Sequence, residues 1–72
     1  MATDSTIQFR LNGEPRRVPG GVSIADMLNA IGVDPAKVAV ERNLAIVPRS
    51  AFGDVCVEDG DDYEIVHFVG GG

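Results

Sequence analysis

Seventy-two residues allow one domain and no second core, and a chain of this size buries only about 60% of its unfolded surface. The net charge of −5 repels phosphate backbones, which excludes a nucleic-acid binder. One cysteine forms no intrachain disulfide, and no apolar run nears the ~20 residues of a membrane span. A soluble protein of the reducing cytoplasm is therefore the default expectation, with no membrane partner. The first residues also lack the basic and apolar layout of a signal peptide.

Residues 1–5 are polar and read as disordered. Ile7, Phe9 and Leu11 then alternate with Gln8 and Arg10, the period of a half-buried strand. Asn12-Gly13 is the strongest short hairpin signal, because a type I′ turn needs positive φ at both central positions. The return strand covers residues 14–18. Pro15 cannot donate to a ladder, which places this strand at a sheet edge. Arg16 and Arg17 would guard that edge against stray pairing.

Pro19-Gly20-Gly21 breaks the strand, and its spacing fits no phosphate-binding loop. Ser23-Ile24-Ala25-Asp26 has the pattern of a capping box, with Val22 and Met27 at the positions of a hydrophobic staple. Ile24, Leu28 and Ile31 fall at i, i+4 and i+7, one apolar face of a two- to three-turn helix. Gly32 followed by Val33 predicts a Schellman stop. Such a short helix is stable only when its apolar face packs on a sheet.

Asp34-Pro35-Ala36 makes a turn. Val38-Ala39-Val40 and Leu44-Ala45-Ile46-Val47 read as two short strands in a tight antiparallel excursion around Asn43, closed by Pro48. Phe52 belongs to a connector, tucked under the sheet. Val55 and Val57 flank Cys56 in an extended piece, where a free cysteine packs as a small hydrophobe. A nucleophilic cysteine needs an electropositive setting, and Asp54, Glu58 and Asp59 supply the opposite. One cysteine and one histidine make no metal site. No serine, cysteine or carboxylate motif orients His67, which reads as structural or interfacial.

Residues 58–62 form an acidic turn before the last strand, 63–69. Residues 37–72 hold seven acids against three bases, so acid clusters toward the tail, where it either steers a basic partner or simply solvates a turn. In the last strand Tyr63, Ile65, His67 and Val69 share one face, and Glu64, Val66 and Phe68 the other. Charged Glu64 marks its face as open. Val66 and Phe68 then dock a partner from an exposed apolar patch, unless the sheet curls and buries Phe68. With a hairpin, one helix, short strands and a final strand lying beside the first, the predicted fold is α+β. It is a β-grasp, or ubiquitin-like, mixed sheet of four to five strands with one main helix on one face. Residues 1–72 form that single domain.

The strand runs into Gly70, Gly71 and Gly72. Glycine lacks Cβ, so Gly70 and Gly71 suit a flexible tail that threads a narrow partner active site. The carboxylate of Gly72, ionised at neutral pH, is the candidate reactive group. It must be activated before it can donate an acyl group. Attack on the α-phosphorus of ATP gives an acyl-adenylate and pyrophosphate, and that step needs magnesium and positive charge. The chain supplies neither, so ATP and Mg belong to a separate activating enzyme. The chain itself binds no cofactor and is a carrier, not an enzyme.

The stretch from Val38 to Arg49, with Asn43 and Val47-Pro48-Arg49 at its end, resembles the ThiS/MoaD family of sulfur carriers, and specifically its thiamine (ThiS) type. Asp59-Gly60-Asp61 and the ending His67-Phe68-Val69-Gly70-Gly71-Gly72 agree, and the resemblance spans about residues 6–72. Phe52 departs from it, standing where these carriers often have tryptophan. The resemblance implies that an E1-like adenylyltransferase, of the ThiF type, adenylates Gly72. It implies that a sulfur donor enzyme supplies the thiocarboxylate sulfur, which passes to a thiazole synthase of the ThiG type. The molybdopterin-synthase small subunit shares fold and tail but usually lacks Val-Pro-Arg. A ubiquitin-like modifier conjugated through Gly72 is the alternative from another class.

Overall fold

The computed structural model describes residues 6–68. Residues 1–5, Val69 and the glycines Gly70, Gly71 and Gly72 lie outside the described residues. The elements run β1 (Thr6–Leu11), β2 (Glu14–Pro19), α1 (Ile24–Ala30), β3 (Val38–Arg42), β4 (Ala45–Val47) and β5 (Asp62–His67). Short 3-10 turns at Pro35–Lys37 and Arg49–Ala51 flank the β3–β4 hairpin.

The strands form one mixed sheet in the order β2-β1-β5-β3-β4. β5 is central. It lies parallel to β1, with Leu11 opposite Tyr63, and antiparallel to β3, with Val38 opposite His67 and Arg42 opposite Tyr63. The edges are β2 and β4, and Pro15 does fall on an edge strand. This is the β-grasp topology expected from the sequence.

The helix starts and stops where its sequence says. Ser23 Oγ accepts from the Asp26 N–H at 3.0 Å, and the Asp26 carboxylate accepts from the Ser23 N–H at 3.3 Å, closing the capping box. The next two N–H groups, of Ile24 and Ala25, donate to the carbonyls of Val55 and Phe52. Every N–H of the first turn is thus satisfied, and two of the bonds fasten the helix to the 52–55 loop. At the other end the Val33 N–H donates to Leu28 O and the Gly32 N–H to Asn29 O, with Gly32 at φ +84°. That is the Schellman pair. It stops the helix at Ala30, so Ile31 is the cap residue and packs on the core from outside the helix.

Ile24, Met27 and Leu28 are buried against Phe9, Leu11, Val38, Val40, Tyr63 and Ile65 from the sheet. Phe9 and Tyr63 meet edge to face, centroids 5.8 Å apart. Phe52 and Val57 close the core from below, as the connector reading required. Cys56 corrects the sequence reading: it is exposed. The extended segment alternates its side chains, and a single bridge to Ser23 fixes which way they point. Val57 takes the inside, and Cys56 faces out.

Both hairpins turn through two residues of positive φ: Asn12 and Gly13 at +51° and +85°, Asn43 and Leu44 at +51° and +72°. The first pair is the preferred type I′ composition. The second puts a leucine where the left-handed region costs an L-residue about 1–2 kcal/mol, and leaves that leucine 92% exposed. Leu44 therefore gains little from burial to offset its strain. Replacing it with glycine relieves the strain but loosens the unfolded chain. Leu44→Gly is expected to stabilise the domain by about 0.5–1 kcal/mol in urea denaturation. A loss of stability would show that Leu44 makes a contact beyond the turn.

Candidate functional site

The end of β5 is the candidate site, because it leads to the residues that the sequence marks as reactive. Gly70, Gly71 and Gly72 themselves lie outside the described residues, so the site is built from what precedes them. Tyr63 and Ile65 point into the core, and Glu64 and Val66 point away from it. α1 covers one face of the sheet, which leaves Val66 62% exposed and Phe68 55% exposed. The sheet does not curl over Phe68. His67 has the parity of the buried face but is exposed, although Val38 opposite it is buried.

Val66 lies opposite Ala39, and Glu64 opposite Glu41, which in turn lies opposite Ile46. Ile46 is exposed as well. The open face near the tail is therefore apolar at Ile46, Val66 and Phe68, with two carboxylates side by side on its flank. A shallow groove of ≈ 170 Å³ runs between Ala39, Ile46, Pro48, Arg49 and Phe68. A larger hollow, ≈ 350 Å³, lies by Gln8, Arg10, Pro15 and Gly60. It sits at the start of β5, about 20 Å from Phe68 at ~3.3 Å per residue, and takes no part in the chemistry considered for the tail.

Phe68 is held in place. Its N–H donates to Lys37 O at 3.0 Å. The Arg49 guanidinium stacks 5.7 Å from its ring centroid. The same guanidinium donates from Nε to Pro35 O and from Nη2 to Val38 O, both at 3.2 Å. Arg49 thus ties the turn before β3, the first residue of β3 and the last aromatic of the chain into one unit. Sequence reasoning quoted Val47-Pro48-Arg49 but gave Arg49 no role.

The acidic turn also departs from the sequence reading. It is near the tail in sequence and at the far end of β5 in space. Part of its charge is internal. Asp61 is 5% exposed. One carboxylate oxygen accepts from Arg42 Nε at 2.8 Å, the Tyr63 hydroxyl at 2.9 Å and the Glu58 N–H at 3.0 Å. The other accepts from Asn43 Nδ2 at 3.1 Å. Burial alone pushes the carboxyl pKa up, but the bonds from Arg42, Glu58, Tyr63 and Asn43 outweigh it, and Asp61 titrates below the usual carboxylate range. The same pairing raises Arg42, chiefly through its hydrogen bond to Asp61. Tyr63 is raised by burial first and by Asp61 second. The sequence signal for this cluster was weak: an arginine in a turn and four acids in five residues look like surface.

The chain matches the ThiS family model over residues 9–72. It is 52% identical over 62 residues to a thiazole synthase of Paramagnetospirillum magneticum, covering 86% of this chain but 19% of that protein. The chain thus spans about a fifth of the length of that relative. It is 42% identical over 50 residues to the sulfur carrier protein ThiS of Bacillus subtilis, covering 69% of this chain and 76% of the carrier. The fold superposes on the crystal structure of the thiamine biosynthesis protein (ThiS) from Geobacter metallireducens with a TM-score of 0.76. Identity to it is 33%, over 92% of this chain and 100% of that one.

A depressed aspartate stabilises the fold above its unfolded pKa of ~3.9, and the stabilisation is lost as pH falls through the lower folded value. Asp61→Asn is expected to cost about 2 kcal/mol at pH 7, since charged hydrogen bonds are lost from a buried site. The gap to the unaltered protein should narrow as the pH drops below about 4. Urea denaturation of both proteins at neutral and acid pH measures it, and a gap that ignores pH would rule out the carboxylate as its source.

Proposed function

The chain belongs to the ThiS family, and on that premise we propose that it is the sulfur carrier of thiamine biosynthesis, acting through the carboxylate of Gly72. The observation that carries this reading is the family match that runs from residue 9 through Gly72, onto a strand whose exposed apolar face leads to that residue.

In this reading a carboxylate oxygen of Gly72 attacks the α-phosphorus of ATP, and pyrophosphate leaves. A sulfur nucleophile from a donor enzyme then attacks the acyl carbon, and AMP leaves with the bonding pair. When that nucleophile is the outer sulfur of a persulfide, a second thiol attacks the donor's sulfur in the resulting acyl disulfide, forms a disulfide with it and releases the thiocarboxylate, which gives its sulfur to the thiazole ring. The ATP, the magnesium and the phosphate-binding groups belong to a ThiF-type adenylyltransferase, so the chain is a carrier and holds no cofactor. A thiazole synthase is the recipient. The likeness to a protein of that name, which carries a segment like this chain within its own length, supports the choice.

The residues divide the work. Gly70 and Gly71, without side chains, thread the partner's channel. Val66 and Phe68 dock the domain, and an exposed apolar patch of this kind is a common partner surface. Glu41 and Glu64 favour a partner with basic groups beside its apolar contact. The reaction takes place in the cytoplasm, where ATP and the reducing thiol chemistry are at hand.

Intact mass spectrometry of the protein from its host is expected to show a species heavier by about 16 Da, one oxygen replaced by sulfur. Ladders of heavier conjugates would mark a modifier instead. Deleting Gly72 should abolish adenylation while leaving the melting temperature unchanged; continued adenylation would remove Gly72 from the mechanism. Val66→Asp is expected to raise KM for adenylation about tenfold, in the range of a docking hot spot, with little effect on melting because the side chain is already exposed. An unchanged KM would take Val66 out of the interface.

A further inference from the structure

Val47-Pro48-Arg49 is a run singled out in the sequence that the proposed function leaves unused. In the fold, Arg49 meets the chain where it leaves the sheet. The β3–β5 ladder ends with Val38 opposite His67. Phe68, one residue on, is fixed by its N–H to Lys37 O and by the guanidinium stacked on its ring. That guanidinium is itself fixed by two backbone carbonyls, Pro35 O and Val38 O.

We infer that Arg49 is a positioning residue for the reacting terminus: through Phe68 it fixes the point from which the last four residues reach into a partner. This rests on the reading of Gly72 as the reacting residue. Backbone acceptors matter here because they cannot swing away as a side-chain partner can. Only a planar guanidinium can donate to two carbonyls from its edge while presenting its face to a ring. Lysine at this position keeps the charge and loses that geometry.

The reach makes the anchor consequential. Four residues from Phe68 to Gly72 span at most about 14 Å when extended. When the domain is docked and the chain threaded, any shift of the starting point is subtracted from that reach or passed on to the carboxylate. A misplacement of about 1 Å at a reacting group is enough to cost on the order of 100-fold in rate. Of the docking residues, Val66 is not held by Arg49, and a leucine at position 68 keeps an apolar contact, so placement and affinity are expected to separate. The alternative role for Arg49 is purely structural, a clamp between two turns and a shield over an apolar ring.

The test is steady-state adenylation by the host's own activating enzyme, read as pyrophosphate release, with the unaltered protein, Arg49→Lys, Phe68→Leu and the double variant. Arg49→Lys is expected to lower kcat by about 10- to 100-fold while KM stays within about threefold. Phe68→Leu keeps the apolar contact, removes the ring, and should lower kcat to a similar extent. Because Arg49 acts through Phe68, the double variant should be no worse than the poorer single one. A rise in KM at constant kcat would make Arg49 a docking residue and overturn the inference. Unchanged kinetics with a lower melting temperature would make it a structural clamp and overturn it equally. Should Arg49→Lys fail to fold, Phe68→Leu alone still decides, since unaltered kcat there excludes positioning through the ring. Backbone ¹⁵N relaxation of residues 66–68 gives a readout independent of any partner: Arg49→Lys should increase motion at Phe68 and leave Ile65 unchanged. If the unaltered protein is not adenylated at all, it is the reading of Gly72 that fails, while the relaxation experiment still reports on the anchor.

Discussion

A single carboxylate sets the register of this fold. Asp61 stands at the entry to β5 and gathers donors from three directions: Arg42 at the end of β3, Asn43 in the following turn, and Tyr63 within β5 itself. The Glu58 N–H closes the turn beneath it. Among the described residues no buried side-chain polar atom lacks a partner. That matters because an unpaired buried carboxylate or guanidinium would cost several kcal/mol in so small a core. With Asp61 in place, β5 can enter the sheet in one register only. A slip of one residue would send Tyr63 and Ile65 to water and Glu64 to the core.

Two asparagines extend the same control to the ends of the neighbouring strands. Asn12 turns β1 away at positive φ, yet its side-chain amide continues the pairing: Oδ1 accepts from the Ile65 N–H at 2.8 Å, and Nδ2 donates to Ile65 O. Asn43 does likewise for β3, its Oδ1 accepting from the Asp62 N–H. Each hairpin turn therefore supplies both the bend and a substitute rung for β5. At Asp62 and Ile65 of the central strand, side chains stand in as hydrogen-bond partners of the backbone.

The consequence for function is a division along β5. Its entry is rigid, charged and internal. Its exit is apolar and exposed, with Arg49 and the Lys37 carbonyl holding the last described residue. The core-facing residues hold the strand in place, and the outward ones present an apolar surface.

The local features of the chain were legible in its residues. The Asn12-Gly13 hairpin, the capping box at Ser23 and Asp26, the Schellman stop at Gly32 and the two faces of the last strand all depend on neighbours a few positions apart. Their physics is therefore written in short stretches. The exposure of Val66 and Phe68 followed from one charged residue, Glu64, once a single helix was available to cover a single face. What the tertiary structure alone decided lies in pairs far apart in sequence. Asp61 and Arg42 looked like solvated charges until the fold buried one against the other. Cys56 read as a packed small hydrophobe until its bridge to Ser23 turned it outward. Arg49 was a letter in a resemblance until the chain brought Phe68 beneath its guanidinium. In each case the partners meet only once the chain has folded, and no short window of sequence contains both.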